Sequence, residues 1–335
     1  MILLITGGCG FIGSNFIHYI LKKDPHCRVF NFDKLTSSGN LGNLENMEGM
    51  YAGRYTFVHG DICDDKLLAA LCRDIDFDVI VNFAVEHHLE ASLSDSAPFI
   101  STNIMGVQKL LVQARRLGIE RFLHCSTGKI YGEPEPNELG FAENAPLAPA
   151  SLYAASRAGA ELLLRAFYES HGLNLLVARC LNCYGPYQFP DQFIPRLLSR
   201  LPGQAPAPLS EDEARLRNWL HVEDFCEGIF LALTWGRIGT SYNFGSRSSL
   251  SGYEVQNAVL RLLGKPVEPV RPVSGKHAVL DFSLAERELG YAPRYDFERG
   301  LAETLDWYQQ NQAWCKSVRS GMYLDSMRQY YPERF

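Results

Sequence analysis

Seven residues near the start of the chain, Gly7-Gly8-Cys9-Gly10-Phe11-Ile12-Gly13, constrain its fold more than any other stretch. They follow a run of branched apolar residues, Ile2–Thr6, and lead into an amphipathic stretch, Phe11–Lys22. A buried strand, a glycine turn and a helix, in that order, open a βαβ unit. In such a unit Gly7 lets the chain turn sharply, Gly10 leaves backbone open to a ligand, and Gly13 lets helix and strand pack closely. The helix N-terminus presents unpaired N–H groups to any anion above the turn. A dinucleotide pyrophosphate suits that geometry, with Gly7, Gly10, Phe11, Ile12 and Gly13 around it.

Further apolar runs at Arg28–Phe32, Thr56–His59, Val79–Phe83, Phe122–Ser126 and Leu175–Cys180 read as buried parallel strands. Helical patterns such as Lys66–Cys72 and Val107–Leu117 separate them. The alternation predicts an α/β fold, a Rossmann doubly wound parallel sheet, followed by a smaller C-terminal substrate-binding α/β region. We expect residues 1–180 to form the cofactor-binding domain. Residues 181–335 form mainly the substrate region and a tail, with the chain crossing back at about 218–245. Asp33 lies twenty residues after Gly13, at the end of the second run. A carboxylate there accepts from both ribose hydroxyls and repels a 2′-phosphate, which favours NAD over NADP. Asp61 and Ile62, after the third run, are candidates for the adenine edge.

Composition excludes several classes. The 335 residues carry 32 Lys and Arg against 38 Asp and Glu, a net charge of −6, so no basic excess exists to hold a nucleic acid. No apolar run approaches the ~18 residues of a membrane span, and the N-terminus lacks the charged start of a signal peptide. Nine scattered cysteines suit a reduced, cytoplasmic protein. Cys180-Leu181-Asn182-Cys183 has no second ligand pair, and Glu86-His87-His88 lacks helical metal spacing, so no metal site is expected.

Tyr153-Ala154-Ala155-Ser156-Arg157 opens a helix, with Tyr153 and Arg157 on one face. Ser126-Thr127 ends the fifth apolar run. A hydroxyl there could stand beside Tyr153, and a cation at Arg157 works to lower a phenol pKa, which would let a tyrosinate accept a proton from a substrate hydroxyl.

These stretches resemble the extended short-chain dehydrogenase/reductases of nucleotide-sugar metabolism, and among them most closely the dTDP-glucose 4,6-dehydratases. The similarity runs through Thr6–Asn15, Asp33-Lys34-Leu35-Thr36, Ala84–Leu93, Ser126-Thr127, Tyr153–Glu161, Arg179–Pro190, Asn218–Asp224 and Tyr242–Gly245. It implies bound NAD, with Lys34 and Ala84 also lining the cofactor and Tyr153 and Arg157 at its reactive end. It implies a nucleotide-diphosphate sugar as substrate, held by Glu86, His88, Asn182, Arg217, Asn243 and Arg271. It also implies a homodimer built on two long helices.

The departures fall at the reactive centre. Where those dehydratases carry Thr-Asp-Glu, with Asp as acid at the 6-hydroxyl and Glu as base at C5, this chain has Thr127-Gly128-Lys129. Their Tyr-x-x-x-Lys pair is Tyr153 and Arg157 here. Lys129 resembles the lysine that serves as C5 base in inverting nucleotide-sugar 4,6-dehydratases. A lysine base needs a pKa well below ~10.4, and burial beside Arg157 would push it that way. The leading reading is an NAD-dependent 4,6-dehydratase-type enzyme. Tyr153, Thr127, Lys129 and Arg157 are its catalytic residues, acting through transient oxidation at C4 and proton transfer at C5. A C4 epimerase, which needs no base at C5, is the alternative, as is an NAD- and nucleotide-binding module without turnover. The segment Leu209–Ala214 carries Glu211, Asp212 and Glu213, expected to face solvent while Arg217 or Arg271 meets the phosphates.

Overall fold

The computed structural model describes residues 1–36, 38–87, 96–134, 140–200, 208–270 and 278–321. The apolar runs form strands β1 (Ile2–Thr6), β2 (Arg28–Asp33), β3 (Tyr55–His59), β4 (Val79–Asn82), β5 (Arg121–Thr127) and β6 (Leu175–Cys180). Leu3, Leu4, Ile5, Ile80, Val81, Phe122 and Leu123 are wholly buried, which is why these strands read as continuous apolar runs rather than alternating ones. A seventh strand, Thr240–Phe244, joins the edge beside β6. Its sequence carries no apolar run that marks it as a strand.

All neighbours in the sheet are parallel, in the order Thr240–Phe244, β6, β5, β4, β1, β2, β3. The order reverses between β1 and β4, and a crevice opens there at the strands' C-terminal ends. Helices cover both faces. Phe11–Lys23 and Val222–Trp235 pack on one side with Phe16, Ile17, Phe225 and Ile229. Asp65–Asp74, Val107–Leu117 and Leu152–His171 pack on the other with Leu68, Leu110, Leu111 and Leu164.

Beyond β6 the chain builds a second apolar cluster from Tyr184, Ile194, Trp219, Val259, Leu301 and Leu305. Two small sheets belong to this part: Cys183–Tyr184 with Leu220–His221, and Leu216–Asn218 antiparallel to Ser249–Ser251. The helix Gln312–Ser320 lies against the first part, where Trp314 Nε1 donates to Asn43 Oδ1 at 2.8 Å.

Candidate active site

A cavity of about 1000 Å³ runs from the glycine turn to the strand Leu216–Asn218. Backbone shapes its cofactor end. Gly7 has φ +71°, and a Cβ there would stand 2.5 Å from the Ala84 nitrogen at the end of β4. A Cβ on Gly13 would stand 2.4 Å from the Gly7 carbonyl oxygen. Neither position has room for a side chain, whereas Gly10 meets only that same oxygen, at 3.3 Å. Phe11 and Ile12 begin the first helix, which no side chain caps and whose first turn holds no acid, so its N-terminus is open to an anion.

Asp33 is buried at the end of β2. Its Oδ2 accepts from Cys9 N at 2.8 Å and its Oδ1 from Leu35 N at 2.7 Å. Those bonds fix the carboxylate at the cavity wall, where its oxygens can accept from hydroxyls. Lys34 and Asp61 form an ion pair of 2.7 Å beside buried Ile62, and all three line the same wall.

The helix Leu152–His171 presents the reactive residues. Ser151 caps it by accepting from Ala154 N at 3.1 Å. Buried Asn103 Nδ2 donates to Ser156 Oγ at 2.9 Å, and Ser156 Oγ donates to Tyr153 O at 2.8 Å, which pins the first turn. Further along, Glu161 is held by Arg179 of β6 in a buried ion pair. Thr127 lies beside the Tyr153 phenol at the cavity wall. Burial pushes the phenol up, with Cys180 adding to it, and the Arg157 cation and Thr127 pull it down. Burial is the largest influence and the net direction is upward, so the lowering expected from the cation alone is only a partial offset.

Arg157 is buried, with Nη2 donating to Cys125 O. Its Nε and Nη1 have no partner among the described residues, although Arg157 lines the cavity. Two orphaned guanidinium donors, an acidic acceptor at Asp33, an uncapped helix N-terminus and a glycine cradle fit NAD. Arg157 would face the ribose nearer Tyr153, and Asp33 the other ribose.

Lys129 follows β5 in a short 3₁₀ turn, Gly128–Tyr131, and its backbone N–H donates to Thr127 Oγ1 at 3.2 Å. Its side chain opens into the cavity, with Nζ 6.0 Å from the centre of the Tyr153 ring. Desolvation by the cavity wall lowers its pKa first, and the like charge of Arg217 lowers it further, against Asp212. The neighbouring cation is therefore Arg217 and not, as the sequence suggested, Arg157.

Glu86 and Asn182 also line the cavity. Asn182 has φ +43°, and its Nδ2 donates to Asn218 O at 3.0 Å, tying β6 to the strand that carries Arg217. Asn243 is a correction. It is wholly buried away from the cavity, accepting from the Tyr131 hydroxyl at 2.9 Å and donating to Phe141 O at 2.8 Å. Its side chain is committed to backbone and to Tyr131 rather than turned to the cavity. His88 and Arg271 lie outside the described residues.

In the acidic segment Glu211 and Asp212 are exposed, as expected, whereas Glu213 is half-buried; Asp212 and Glu213 also border the cavity in the short helix Glu211–Ala214. Asp212 pairs with Arg217 at 2.8 Å, and Glu213 pairs with Arg196. Repulsion toward a phosphate is relieved by exposure and by pairing together. Arg196 and Arg215, both at the wall, were missed. No motif marks them, because only the fold brings the Phe193–Arg200 helix against Glu213. Among the described residues no three metal-ligating side chains converge.

A parallel doubly wound sheet, a glycine turn at its switch point and a Thr–Tyr pair reaching over the cofactor crevice define a short-chain dehydrogenase/reductase of the extended type. Residues 4–304 match the family model described as GDP-mannose 4,6 dehydratase. The dTDP-glucose 4,6-dehydratase of Actinoplanes sp. is 41% identical over 324 residues, spanning 94% of this chain and 99% of that protein. The Salmonella typhimurium dTDP-glucose 4,6-dehydratase is 35% identical across the full length of both. The crystal structure of the Streptomyces venezuelae dTDP-glucose 4,6-dehydratase with NAD bound superposes with a TM-score of 0.86, at 39% identity, covering 95% of this chain and all of that one. The chain belongs to the GDP-mannose 4,6 dehydratase family of nucleotide-sugar enzymes.

Proposed function

We propose that the protein is an NAD-dependent 4,6-dehydratase of a nucleoside-diphosphate hexose, with dTDP-glucose the first substrate to test. The observation that carries this reading is that Thr127, Tyr153 and Lys129 line one end of a cavity that begins at the glycine turn, with Lys129 Nζ 6.0 Å from the centre of the Tyr153 ring. Relatives that share the whole chain are dTDP-glucose 4,6-dehydratases, which favours dehydration over epimerisation.

When bound, NAD supplies the removal and return of an electron pair at the sugar. Tyr153 accepts the C4 hydroxyl proton, and Thr127 holds the same oxygen. Arg157 fixes the cofactor ribose and its charge favours the tyrosinate. Lys129, whose pKa is lowered by desolvation and by Arg217, takes the C5 proton that the C4 ketone has acidified. Arg217 binds the diphosphate by exchanging its bond to Asp212 for a phosphate oxygen.

Exposed Ile100, Met105, Val112, Leu152 and Leu162 stand on neighbouring helices and support a homodimer through that face. Nine free cysteines fit a cytoplasmic location. Among the described residues no helix is long and apolar enough to cross a membrane.

The test is to mix holoprotein with dTDP-glucose, following the absorbance of reduced nicotinamide and the formation of a 4-keto-6-deoxy sugar. The expected result is transient reduction followed by product. Binding without reduction overturns the enzymatic reading, and a C4 epimer as the product overturns the dehydratase reading.

A further inference from the structure

Elimination across C5 and C6 needs a base at the C5 proton and an acid at the departing hydroxyl. The residue between Thr127 and Lys129 is Gly128, and its surroundings show that no side chain is accommodated there. A Cβ at position 128 would stand 2.7 Å from Leu181 Cγ and 2.8 Å from Leu280 Cδ2. Both leucines are buried in a cluster with Ile130, Tyr131, Phe141 and Ala158. The space beside Lys129 is thus closed by hydrocarbon.

Among the described residues, the carboxylates of Asp212, Glu213, Glu133 and Asp191 on the sugar side of the cavity each hold a partner. Asp212 is bound by Arg217 at 2.8 Å, Glu213 by Arg196, and Glu133 by Arg215 at 3.5 Å. Asp191 accepts from Gln192 Nε2 at 3.1 Å. Glu86 lies past the end of β4, across the cavity, with its backbone bound to Asn103. Lys129 is the proton-carrying side chain that reaches over the Tyr153 ring.

We propose that Lys129 is both base and acid in the elimination: its amine takes the C5 proton, and the resulting ammonium delivers a proton to the departing C6 oxygen. This rests on the dehydratase reading above. The steps balance within the substrate. The C5–H electron pair becomes the C5–C6 double bond, the C6–O pair leaves with oxygen, and the proton gained by Nζ completes a water molecule. Lys129 ends neutral, as it began. One nitrogen can serve both ends only if the C5–H and C6–O bonds leave toward the same side, so the elimination is syn. The depressed lysine pKa suits the cycle, since a neutral amine must be present at the start and its conjugate acid must give up its proton readily.

The experiment uses holoprotein and dTDP-glucose in deuterated water, and reads three quantities: reduced nicotinamide, deuterium at C5 of recovered sugar, and 4-keto-6-deoxy product. Lys129→Ala and Lys129→Met are expected to reduce the cofactor, which shows that they fold and bind. They are expected to lose C5 exchange and product together, each by about 10²–10⁴-fold. Glu86→Gln, Asp191→Asn and Asp212→Asn, whatever they do to binding, keep the wild-type ratio of product to exchange. Gly128→Asp gives no gain in turnover, or does not fold.

A carboxylate variant that exchanges C5 but forms no product reveals a separate acid and overturns the proposal. So does persistent exchange in Lys129→Ala, or a Gly128→Asp variant faster than wild type. If wild type itself shows no cofactor reduction, the dehydratase reading fails first. Reduction and exchange that do not depend on Lys129 defeat this inference alone.

Discussion

At the cofactor end of the cavity, the wall is backbone or side chains held by backbone: Gly7 against Ala84, Gly13 against Gly7, Asp33 bonded to the N–H groups of Cys9 and Leu35. At the sugar end, the wall is long charged side chains that hold one another: Asp212 with Arg217, Glu213 with Arg196, and Lys129 open between them. The first construction tolerates almost no substitution, because each position is set by a steric limit or by a buried bond. The second can exchange partners, and it is where Gly128 and Lys129 stand. A fold can keep its cofactor geometry while the proton chemistry beside it is rebuilt, since the two depend on different kinds of contact.

Substitutions at the two ends separate their contributions. Tyr153→Phe stands where the two ends meet. It is expected to lower turnover by about 10²–10⁴-fold and abolish cofactor reduction while leaving the melting temperature near wild type. Turnover and a spectral assay with dTDP-glucose read both effects. Gly7→Ala attacks the backbone-built end. A side chain at φ +71°, driven into Ala84, is expected to cost about 2–5 kcal/mol, with loss of retained NAD, as measured by denaturant unfolding and cofactor content.

Arg157→Ala removes two donors that lack partners among the described residues. Cofactor affinity measured by calorimetry is expected to fall about 10–100-fold, with partial recovery in Arg157→Lys. An Arg157→Ala protein that binds NAD as wild type does would place the guanidinium outside the cofactor site. Asp33→Ala is expected to erase about tenfold of preference for NAD over NADP, read from paired titrations. Equal binding of the two by the unaltered protein would remove Asp33 from its assigned role.

The smallest effect concerns stability. The folded-state pKa of Lys129 lies below its unfolded value of ~10.4, so between the two the unfolded chain holds a proton that the folded chain has lost. Stability therefore rises with pH across that window, and below the folded pKa the cost of the charged lysine is fully present. Lys129→Met is expected to raise the melting temperature slightly at neutral pH, with the gain shrinking as pH climbs toward the free-lysine value. A lower melting temperature at neutral pH would mean that Lys129 is stabilised where it stands.

Most of the sheet could be read in advance because strands buried on both faces leave unbroken apolar runs. The edge strand Thr240–Phe244 escaped because Thr240, Ser241 and Asn243 break that signal, and its pairing with β6 is a long-range event. The glycine turn, Asp33 and the Tyr153 helix were legible since local spacing determines their geometry. Asn243 was misassigned because a resemblance places a residue in a motif without telling which way its side chain turns, and here it turns into the Tyr131–Phe141 contact. The pairing of Asp212 with Arg217 and the influence of Arg217 on Lys129 depend on the antiparallel strands Leu216–Asn218 and Ser249–Ser251, which no local pattern joins.

The central claim is that oxidation at the sugar belongs to Tyr153 and the cofactor end, whereas elimination belongs to Lys129. Rapid mixing of Lys129→Ala holoprotein with dTDP-glucose separates the two most directly. The expected trace is a stable accumulation of reduced nicotinamide, with no 4-keto-6-deoxy sugar released. Continued turnover to that product, or a failure to reduce the cofactor while Tyr153 is intact, would contradict the account.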